Sequence, residues 1–367
     1  VSARFLELLR GVRGVDVDLV RPSVRVHWGR RDRLDVAAAL ERLDAGLSRI
    51  RESLRGPSDL ADKYGLPADQ VARYVELLGS RREAEEFLGA REDDVMRTVR
   101  VNTTRIDRDE LAERLEAKGA SVRPYKHAPY GLVIEDSSVA LAAYHEHLVG
   151  LFYIQGPASM LPVLALSPED ASRIADAASG VGGKATQISQ HNPHSPVIAL
   201  DVSERKLMAL KANASRLGAF NIVAYLMDAR GISSLGNFDR VLLDAPCTGE
   251  GLMPFPRGRR ARPQDEVERA ARLQVELLES ALKSLGEGGE LVYSTCSTNF
   301  EENELVVSSV LESLDGFSVV DAGLGFGDPG LIEYAGVRVP SYLRSCRRFY
   351  PHRHNTEGFT ICRIRRL

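Results

Sequence analysis

Short apolar runs alternate with amphipathic segments through the C-terminal part of the chain. From about residue 156 onward, each run of strand type is followed by a polar turn and then by apolar residues at helical spacing. The predicted strands span residues 173–177, 197–201, 222–226, 239–243, 290–295 and 359–364. The clearest helix between them covers residues 265–285, where Leu273, Leu277 and Leu278 share one face. Regular strand–helix alternation predicts an α/β domain with a doubly wound, largely parallel sheet.

The first 94 residues carry a helical pattern instead of this alternation. Apolar residues at three- and four-residue spacing predict a long helix over residues 35–54 and shorter helices over 58–64 and 68–78. Residues 15–28 alternate between apolar and polar positions and predict a small hairpin. We therefore expect a mostly helical N-terminal region over residues 1–94, with no catalytic signature of its own.

A small α/β unit is predicted between these two regions. Strands are expected at Val99–Val101, 131–134 and 151–154, and helices at 108–118 and 137–148. This β-α-β-α-β order resembles an RNA-recognition-type (RRM-like) fold, although the aromatic motif of such domains is absent. The chain is thus expected to divide into residues 1–94, 95–155 and 156–367.

Composition and charge exclude several classes of protein. No apolar run reaches 18 residues and the first residues lack the order of a secretory signal, so we expect a cytoplasmic protein without a membrane span. The four cysteines include no Cys-x-x-Cys pair and the histidines include no set with metal-ligand spacing, so no metal is expected. Reduced thiols are expected, with Cys346 and Cys362 as packing residues. The net charge of −3 neither favours nor excludes a nucleic-acid partner.

Acidic and glycine residues recur where the predicted strands end. The turn Asp-Ala-Ala-Ser-Gly-Val-Gly-Gly-Lys (176–184) follows the first strand, and its glycines let backbone amides approach a ligand closely. The carboxylates that end four strands are Asp176, Asp201, Asp228 and Asp244. An acid after the second strand suits a ribose diol, and we expect the acid after the third to receive an exocyclic amine such as that of adenine. A single such acid is often only a helix cap, but four in order predict a nucleoside cofactor.

Two cysteines also follow strand-like runs. Cys247 lies in Leu-Leu-Asp-Ala-Pro-Cys-Thr-Gly (242–249), and Cys296 lies in Leu-Val-Tyr-Ser-Thr-Cys-Ser (291–297). Open α/β sheets keep their chemistry at the carboxyl ends of strands, so thiol chemistry on a bound substrate is predicted. These motifs resemble the Sun/Nop RNA (cytosine-5) methyltransferases over roughly residues 58–367. Three further segments agree: Arg-Thr-Val-Arg-Val-Asn-Thr (97–103), Ala-Ser-Met-Leu-Pro (158–162) and Arg-Phe-Tyr-Pro-His-Arg-His-Asn-Thr-Glu-Gly-Phe (348–359).

The resemblance implies a Rossmann-like domain that uses S-adenosyl-L-methionine to form 5-methylcytosine in RNA. In such an enzyme a cysteine thiolate adds to C6 of cytosine, so that C5 can attack a sulfonium methyl group. By resemblance Cys296 is this nucleophile and Cys247 assists release of the product. Asp244 would hydrogen-bond the base, and Lys184 would orient Asp244. The implied cofactor-binding residues are Asp176, Ala178, Ser179, Gly180, Val181, Gly182, Gly183, Lys184, Asp201, Arg205, Asp228 and Asp244.

The glycine turn departs from the pattern of the family at one segment. The family usually has Cys-Ala-Ala-Pro before Gly-Gly-Lys, whereas this chain has Ala178-Ser179-Gly180-Val181. The missing proline is expected to loosen the turn and to affect cofactor affinity rather than the type of reaction.

Arginines are concentrated in two segments that follow the chemical motifs. Arg257, Arg259, Arg260 and Arg262 cluster in a Pro/Gly-rich loop after Cys247, and the C-terminal segment is also rich in arginine. We expect Arg257, Arg259, Arg260 and Arg353 to contact RNA phosphates, the alternative being a solvated basic surface. By resemblance to compact archaeal-type members, tRNA is the first expected substrate and rRNA the next, acted on by a monomer. The target base must leave its stack, so a loop or a flipped nucleotide is expected.

Two other functions stay open. DNA cytosine-5 methyltransferases place their nucleophile in a Pro-Cys motif like that of Cys247, although the Thr-Cys-Ser of Cys296 argues against this function. Outside enzymes, the alternative is a catalytically silent RNA-binding assembly factor, which the altered turn at residues 178–181 suggests.

Overall fold

The computed structural model describes residues 25–26, 36–54, 58–253, 255 and 261–367. These residues form two compact units. Unit 1 holds the described residues of Val1–Asp32, Met96–Asp244 and Ser280–Val292, and unit 2 holds those of Arg33–Val95, Ala245–Glu279 and Tyr293–Leu367. The predicted boundary near residue 95 coincides with a unit boundary, while the one near residue 155 falls inside unit 1. The predicted three-part division stays a prediction.

The helices and strands are numbered in chain order. The α-helices of the described residues are α1 (Ala37–Ser53), α2 (Ser58–Tyr64), α3 (Ala68–Leu78), α4 (Arg81–Gly89), α5 (Arg108–Glu116), α6 (His145–Leu148), α7 (Leu161–Leu166), α8 (Gly183–His191), α9 (Glu204–Leu217), α10 (Gln264–Lys283), α11 (Glu304–Leu311) and α12 (Pro351–His354). The strands are β1 (Arg25–Val26), β2 (Thr98–Val101), β3 (Ser121–Pro124), β4 (Gly131–Asp136), β5 (Phe152–Ile154), β6 (Ile174–Asp176), β7 (Val197–Asp201), β8 (Ile222–Leu226), β9 (Phe238–Asp244), β10 (Leu285–Thr295), β11 (Phe317–Val320), β12 (Asp328–Pro329), β13 (Glu333–Tyr334), β14 (Val337–Arg338), β15 (Arg347–Phe349) and β16 (Phe359–Arg366).

Unit 1 contains the doubly wound sheet that the alternation predicts. Its strand order is β1-β8-β7-β6-β9-β10, and β6 to β9 pair in parallel. The order reverses at β6, where Ile174 pairs with Val197 on one side and with Arg240 on the other. This is the Rossmann-like arrangement, in which ligands bind beyond the carboxyl ends of the strands at the reversal. The predicted fold class is confirmed.

Burial explains why the strands of this sheet were readable from the sequence. Strand β7 is buried along its whole length, and a parallel strand covered on both faces reads as a continuous apolar run. Helices α8 and α9 cover one face through a cluster of small and branched side chains. The buried members of this cluster are Ala185, Ala199, Leu207, Leu210 and Ala224. Their packing holds the glycine turn at the start of α8 against the ends of β6 and β7.

Unit 1 also contains a four-stranded antiparallel sheet with the order β3-β4-β2-β5. The prediction missed β3, because this edge strand is largely exposed and has Val122 as its one apolar residue. The predicted helix over 137–148 is shortened to α6, since Tyr144 adopts an extended conformation. The observed order is β-α-β-β-α-β, which is a split-βαβ arrangement. The RRM-like assignment itself stays a prediction.

Unit 2 combines N-terminal helices with C-terminal strands. Helices α1, α2 and α3 lie where the helical spacing predicts them, and α4 is an additional helix capped by the hydroxyl of Ser80. Strand β16 matches the last predicted strand, but it pairs antiparallel with both β15 and β11. The predicted hairpin over 15–28 lies outside the described residues except for β1, which belongs to unit 1 and pairs there in parallel with β8.

The expectation of reduced thiols is wrong for one pair of cysteines. Cys346 and Cys362 form a disulfide with an S–S distance of 2.03 Å. Antiparallel pairing of Arg347 with Ile361 brings the preceding and following residues, the two cysteines, opposite each other. Both cysteines are completely buried, as a packing role requires. The pairing depends on strand register, which the spacing of cysteines in the sequence does not reveal.

Candidate active site

The glycine-rich turn of unit 1 connects β6 to α8. Gly180 and Gly182 have φ angles of 55° and 88°, which favour glycine. A Cβ atom at Gly182 would lie 2.8 Å from Cγ of Leu210, whereas one at Gly180 would meet no atom within 4 Å. The turn is therefore packed tightly on one side and leaves open space beside the backbone of Gly180, as the approach of a ligand requires.

The segment that lacks the family's proline is held by other contacts. The amide and the hydroxyl of Ser179 both donate to the carbonyl of Leu200, at 2.8 and 3.0 Å. The amide of Gly180 donates to Oδ2 of Asp201 at 3.0 Å, and the carbonyl of Val181 accepts from Asn213 at 2.9 Å. These contacts attach the turn to the end of β7 and to α9. A serine hydroxyl thus supplies a restraint in a turn that has no proline.

Asp176 at the end of β6 is a buried acid whose carboxylate oxygens lack hydrogen-bond donors of ordinary geometry among the described residues. Its side chain is 1% exposed, and neither oxygen accepts a hydrogen bond of ordinary geometry from the described residues. Burial raises the pKa of Asp176 to about 7, the nearby charge of Asp244 adds to this rise, and Lys184 and the amide of Ala178 oppose it. Two unsatisfied buried acceptors are costly, so this position fits a ligand that brings a donor or a positive charge.

Lys184 and Asp244 form the contact that the resemblance implies. Nζ of Lys184 lies 2.6 Å from Oδ2 of Asp244 and 3.2 Å from Oγ of Ser159. The Asp244 side chain is 30% exposed and that of Lys184 is 11% exposed, so the pair is open to solvent on the carboxylate side. Ser159 is a site residue that the prediction missed, although it lies in the Ala-Ser-Met-Leu-Pro motif.

The other predicted cofactor residues divide into two groups. Asp201 accepts from the amides of Gly180 and Ser203 at the end of β7, so its carboxylate faces the turn. Asp228 caps the segment after β8 and forms an ion pair with Arg230 at 2.6 Å. Arg205 is exposed in the first turn of α9. The structure thus brings Asp176, Asp201, Lys184 and Asp244 around the turn, and the roles of Asp228 and Arg205 stay predictions.

Unit 2 brings together the two predicted catalytic cysteines. Cys247 follows β9 and Cys296 follows β10, and their Sγ atoms lie 3.1 Å apart. Neither cysteine takes part in a disulfide, and both are half-buried. The two motifs lie 49 residues apart in sequence, so this contact depends entirely on the fold.

Backbone contacts support the two cysteine loops. The amide of Gly251 donates to the carbonyl of Cys296 at 2.9 Å. A Cβ atom at Gly251 would lie 1.9 Å from the carbonyl oxygen of Gly358, so only glycine fits at this position. Gly358 belongs to the C-terminal motif over residues 348–359. This motif therefore packs against Gly251, whose amide binds the carbonyl of Cys296.

Two family profiles match this chain over consecutive ranges. The family profile described as 16S rRNA methyltransferase RsmB/F matches residues 163–365. The profile described as the N-terminal domain of 16S rRNA methyltransferase RsmF matches residues 66–157.

The chain belongs to the RsmB/F family. A relative from Mus musculus, a 28S rRNA (cytosine-C(5))-methyltransferase, is 39% identical over 332 residues, which cover 88% of this RsmB/F chain and 42% of the relative. A tRNA (cytosine(72)-C(5))-methyltransferase from Pyrococcus horikoshii is 37% identical over 220 residues, covering 59% of the chain and 53% of that relative. The chain therefore spans about half the length of these curated relatives or less.

Solved structures agree with the RsmB/F assignment. A methyltransferase homolog protein from P. horikoshii has a TM-score of 0.76 at 34% identity, over 85% of this chain and all of that one. NSun6 from P. horikoshii, solved with SFG, has a TM-score of 0.72 at 26% identity, over 82% of this chain and 98% of that one. The resemblance to Sun/Nop methyltransferases is confirmed at the level of the family.

The predicted phosphate contacts of this RsmB/F chain have mixed positions. Arg257, Arg259 and Arg260 lie outside the described residues. Arg353 forms ion pairs with Glu83 at 2.6 Å and with Asp328 at 2.5 Å. Hydrogen bonds from His354 and Arg353 lower the pKa of Asp328 to about 2, so this acid stays charged. The charge of Arg353 is thus matched within unit 2, and its contact with phosphate stays a prediction.

Arg262 does not belong to an exposed basic cluster. It is 2% exposed, and its guanidinium donates to the carbonyls of Thr248 at 2.7 Å and Gly249 at 3.4 Å. This arginine supports the chain directly after Cys247.

Among the residues that the structure describes, no group of three His, Cys, Asp or Glu side chains could hold a metal ion. Within the same part of the chain, no helix is long and apolar enough to cross a membrane.

Proposed function

We propose that this chain transfers a methyl group from S-adenosyl-L-methionine to C5 of cytosine in RNA, forming 5-methylcytosine. The observation that carries the proposal is the 3.1 Å contact between the sulfur atoms of Cys247 and Cys296. Two thiols in contact fit a reaction in which one sulfur bonds to the base and the other serves its release. Membership of the RsmB/F family supports the same reaction.

The residues around the glycine turn fit this cofactor. Asp176 offers two buried oxygens without ordinary hydrogen-bond donors, which suits the ammonium group of the amino acid part. Asp201 lies at the end of β7, the second strand along the chain in the strand–helix alternation, where an acid suits ribose hydroxyls. The open space beside Gly180 leaves the backbone accessible. When bound, S-adenosyl-L-methionine supplies a methyl group activated by a sulfonium.

The two cysteines would act in sequence. The Cys296 thiolate forms a bond to C6, and the electrons of the C5–C6 double bond make C5 nucleophilic. After C5 has gained the methyl group, Cys247, acting as a thiolate, accepts the C5 proton. The electron pair left on C5 then restores the double bond as the Cys296–C6 bond breaks and the thiolate leaves.

Asp244 and Lys184 would serve the base during addition. Asp244 would hydrogen-bond the base at N3, where negative charge develops as the thiolate adds, and its carboxylate would accept from N3 once that nitrogen has gained a proton. Lys184 holds Oδ2 of this carboxylate at 2.6 Å and so fixes its direction. The partly exposed Asp244 side chain leaves room for this second partner.

Ribosomal RNA is our first choice of substrate and tRNA the second. The M. musculus relative named for 28S rRNA matches 88% of this chain, whereas the P. horikoshii relative named for tRNA matches 59%. This order reverses the one expected from the sequence. A cytosine in a loop, or one flipped out of a helix, is required in either RNA because the thiol must reach C6.

A methyl-transfer assay tests the proposal. The purified protein is incubated with labelled S-adenosyl-L-methionine and with rRNA transcripts, tRNA transcripts or DNA of equal sequence, and nucleosides are analysed by mass spectrometry. We expect 5-methylcytosine in RNA only, and none with Cys296→Ala. Methylation of DNA instead would favour the DNA-type function. RNA binding without methyl transfer, and without cofactor binding in calorimetry, would favour the silent assembly factor.

A further inference from the structure

Glu302 is a buried acid in unit 2 that contacts both cysteine loops. It lies in the segment between β10 and α11, and its side chain is completely buried. Its carboxylate accepts from the Thr248 amide (2.8 Å), Thr248 Oγ1 (2.6 Å), Gln274 Nε2 (3.1 Å), Ser297 Oγ (2.5 Å) and Asn299 Nδ2 (3.0 Å). Both oxygens are thus saturated by donors from three separate segments of the chain.

Two of these partners are the immediate neighbours of the cysteines. Thr248 follows Cys247 and donates through both its amide and its hydroxyl. Ser297 follows Cys296 and donates through its hydroxyl. One carboxylate therefore ties the residue next to one thiol to the residue next to the other. The segments it joins lie 54 and 5 residues away in sequence.

We propose that Glu302 is a positioning residue that holds Cys247 and Cys296 at the spacing their reaction requires. This inference rests on the proposed function, because it assigns the two thiols to one reaction. The carboxylate touches neither thiol within the described hydrogen bonds and acts through Thr248 and Ser297. Reactions between held groups are sensitive to displacements of about 1 Å, which can cost about 100-fold in rate.

Each cysteine loop also has anchors that do not involve Glu302. Asn303 accepts from Thr295 Oγ1 at 2.7 Å and donates to the carbonyl of Ser297 at 3.1 Å. On the other loop, Arg262 donates to the carbonyl of Thr248 at 2.7 Å. A change at Glu302 should therefore shift the loops relative to each other while each loop keeps its own conformation.

Glutamine does not reproduce the hydrogen bonds of this carboxylate. Oε1 receives the backbone N–H of Thr248, which cannot become an acceptor. Oε2 receives three donors, whereas an amide nitrogen has only two hydrogens to offer, even if the hydroxyls rotate and the Asn299 amide turns. In either orientation a glutamine therefore loses at least one of the five hydrogen bonds, and we expect one of the joined segments to shift.

The adjacent acid offers a matched control. Glu301 is also completely buried, and Oε1 of its carboxylate accepts from Gln264 at 3.4 Å. None of the described hydrogen bonds connects Glu301 to Thr248 or Ser297. Glu301→Gln makes the same chemical change one residue away, but the new side-chain amide does not face Thr248 or Ser297.

The experiment compares Glu302→Gln and Glu301→Gln in the full chain. The first readout is kcat and KM for RNA methylation. The second is the rate at which diamide, taking two electrons and two protons, joins Cys247 to Cys296, followed by mass spectrometry of unreduced peptides. We expect Glu302→Gln to lower kcat by about 10- to 100-fold with KM within about twofold, and to slow formation of the disulfide by about tenfold. Glu301→Gln should change each value by less than about twofold.

Cofactor affinity by calorimetry checks that the variants keep their fold. If Glu302→Gln does not fold, Ser297→Ala removes one bond of the same carboxylate and should lower kcat about three- to tenfold. Wild-type values of kcat and disulfide rate in the folded variant would overturn the inference. If the wild type forms the disulfide, Glu302→Gln slows it, and neither methylates RNA, the proposed reaction fails while the positioning role stands.

Discussion

Two fully buried acids, Asp176 in unit 1 and Glu302 in unit 2, have opposite surroundings. Asp176 lacks an ordinary hydrogen bond on either oxygen among the described residues, whereas Glu302 accepts five. Burial of an unsatisfied carboxylate costs free energy that a bound ligand can recover. A carboxylate whose oxygens all accept hydrogen bonds from the protein has no acceptor site left for a ligand. Its hydrogen bonds instead hold the neighbouring segments rigidly. The hydrogen bonds around the two acids therefore support a ligand-binding role for Asp176 and a positioning role for Glu302.

One ion pair from each unit shows a similar difference in burial. Lys184 and Asp244 in unit 1 are partly exposed, at 11% and 30%. Arg348 and Glu304 in unit 2 are 1% and 0% exposed, and the arginine also donates to Tyr350. An accessible pair can exchange partners when a substrate arrives, while a buried pair that loses one member leaves an uncompensated charge. We therefore expect substitutions in unit 1 to affect ligand binding and those at buried acids of unit 2 to affect geometry.

The largest effect is expected at Cys296, the proposed nucleophile, which belongs to unit 2. Cys296→Ala removes the atom that bonds to C6, so methylation should fall by more than about 1,000-fold with no covalent RNA adduct. Cofactor binding, which we assign to unit 1, should stay unchanged in calorimetry. A stable adduct in this variant would contradict the assignment of the nucleophile.

Removal of the second thiol should separate attack from release. Cys247→Ala keeps the nucleophile, so the first methyl transfer should proceed while turnover falls by about 100- to 10,000-fold. We expect an RNA–protein band on denaturing electrophoresis that requires S-adenosyl-L-methionine. The band should vanish when Cys296→Ala is added. If the enzyme were of the DNA type, the covalent adduct would form only in variants that keep Cys247.

The disulfide of unit 2 should contribute to stability and not to ligand binding. Cys346 and Cys362 are 16 residues apart, and opening a loop of this size costs about 3 kcal/mol in the free energy of unfolding. Urea denaturation of Cys346→Ala measures this loss. The affinity for S-adenosyl-L-methionine should remain that of the wild type, and a large decrease would mean that this disulfide also supports the ligand site.

A substitution at Asp201 tests whether the acids of unit 1 bind the cofactor. Asp201→Ala would leave ribose hydroxyls without an acceptor and weaken cofactor binding by about 1–3 kcal/mol. Calorimetry on the variant gives the change, with Glu301→Gln, a substitution at a buried acid of the other unit, as the control. Unchanged affinity would remove Asp201 from the cofactor site.

The smallest effect is the pH dependence that Asp176 should impose. Its pKa of about 7 lies above the usual aspartate range, so the folded protein binds more protons than the unfolded chain between about pH 4 and pH 7. Stability without ligand should therefore fall as the pH rises across this window. Affinity for a cationic ligand should rise by up to about tenfold between pH 6 and pH 8. Asp176→Asn should flatten both profiles in denaturation and calorimetry, and wild-type slopes in this variant would assign them to another group.

Much of unit 1 was predictable because its information is local. The predicted strands over 197–201 and 222–226 coincide with β7 and β8, since buried parallel strands read as continuous apolar runs. The glycine turn and the acids after β6 and β7 follow directly from the ends of these runs. The contact between Lys184 and Asp244 was inferred from the resemblance and is present.

What the sequence determined by itself was therefore the order and type of the main elements and the residues that carry chemistry. Tertiary structure decided which distant residues meet: Cys346 with Cys362, Cys247 with Cys296, and Glu302 with Thr248. It also decided that Arg262 is buried and that the exposed strand β3 pairs with β4. The physical reason is that hydrophobic period reports which face of an element is buried, whereas partners depend on strand register and on packing between segments far apart in the chain.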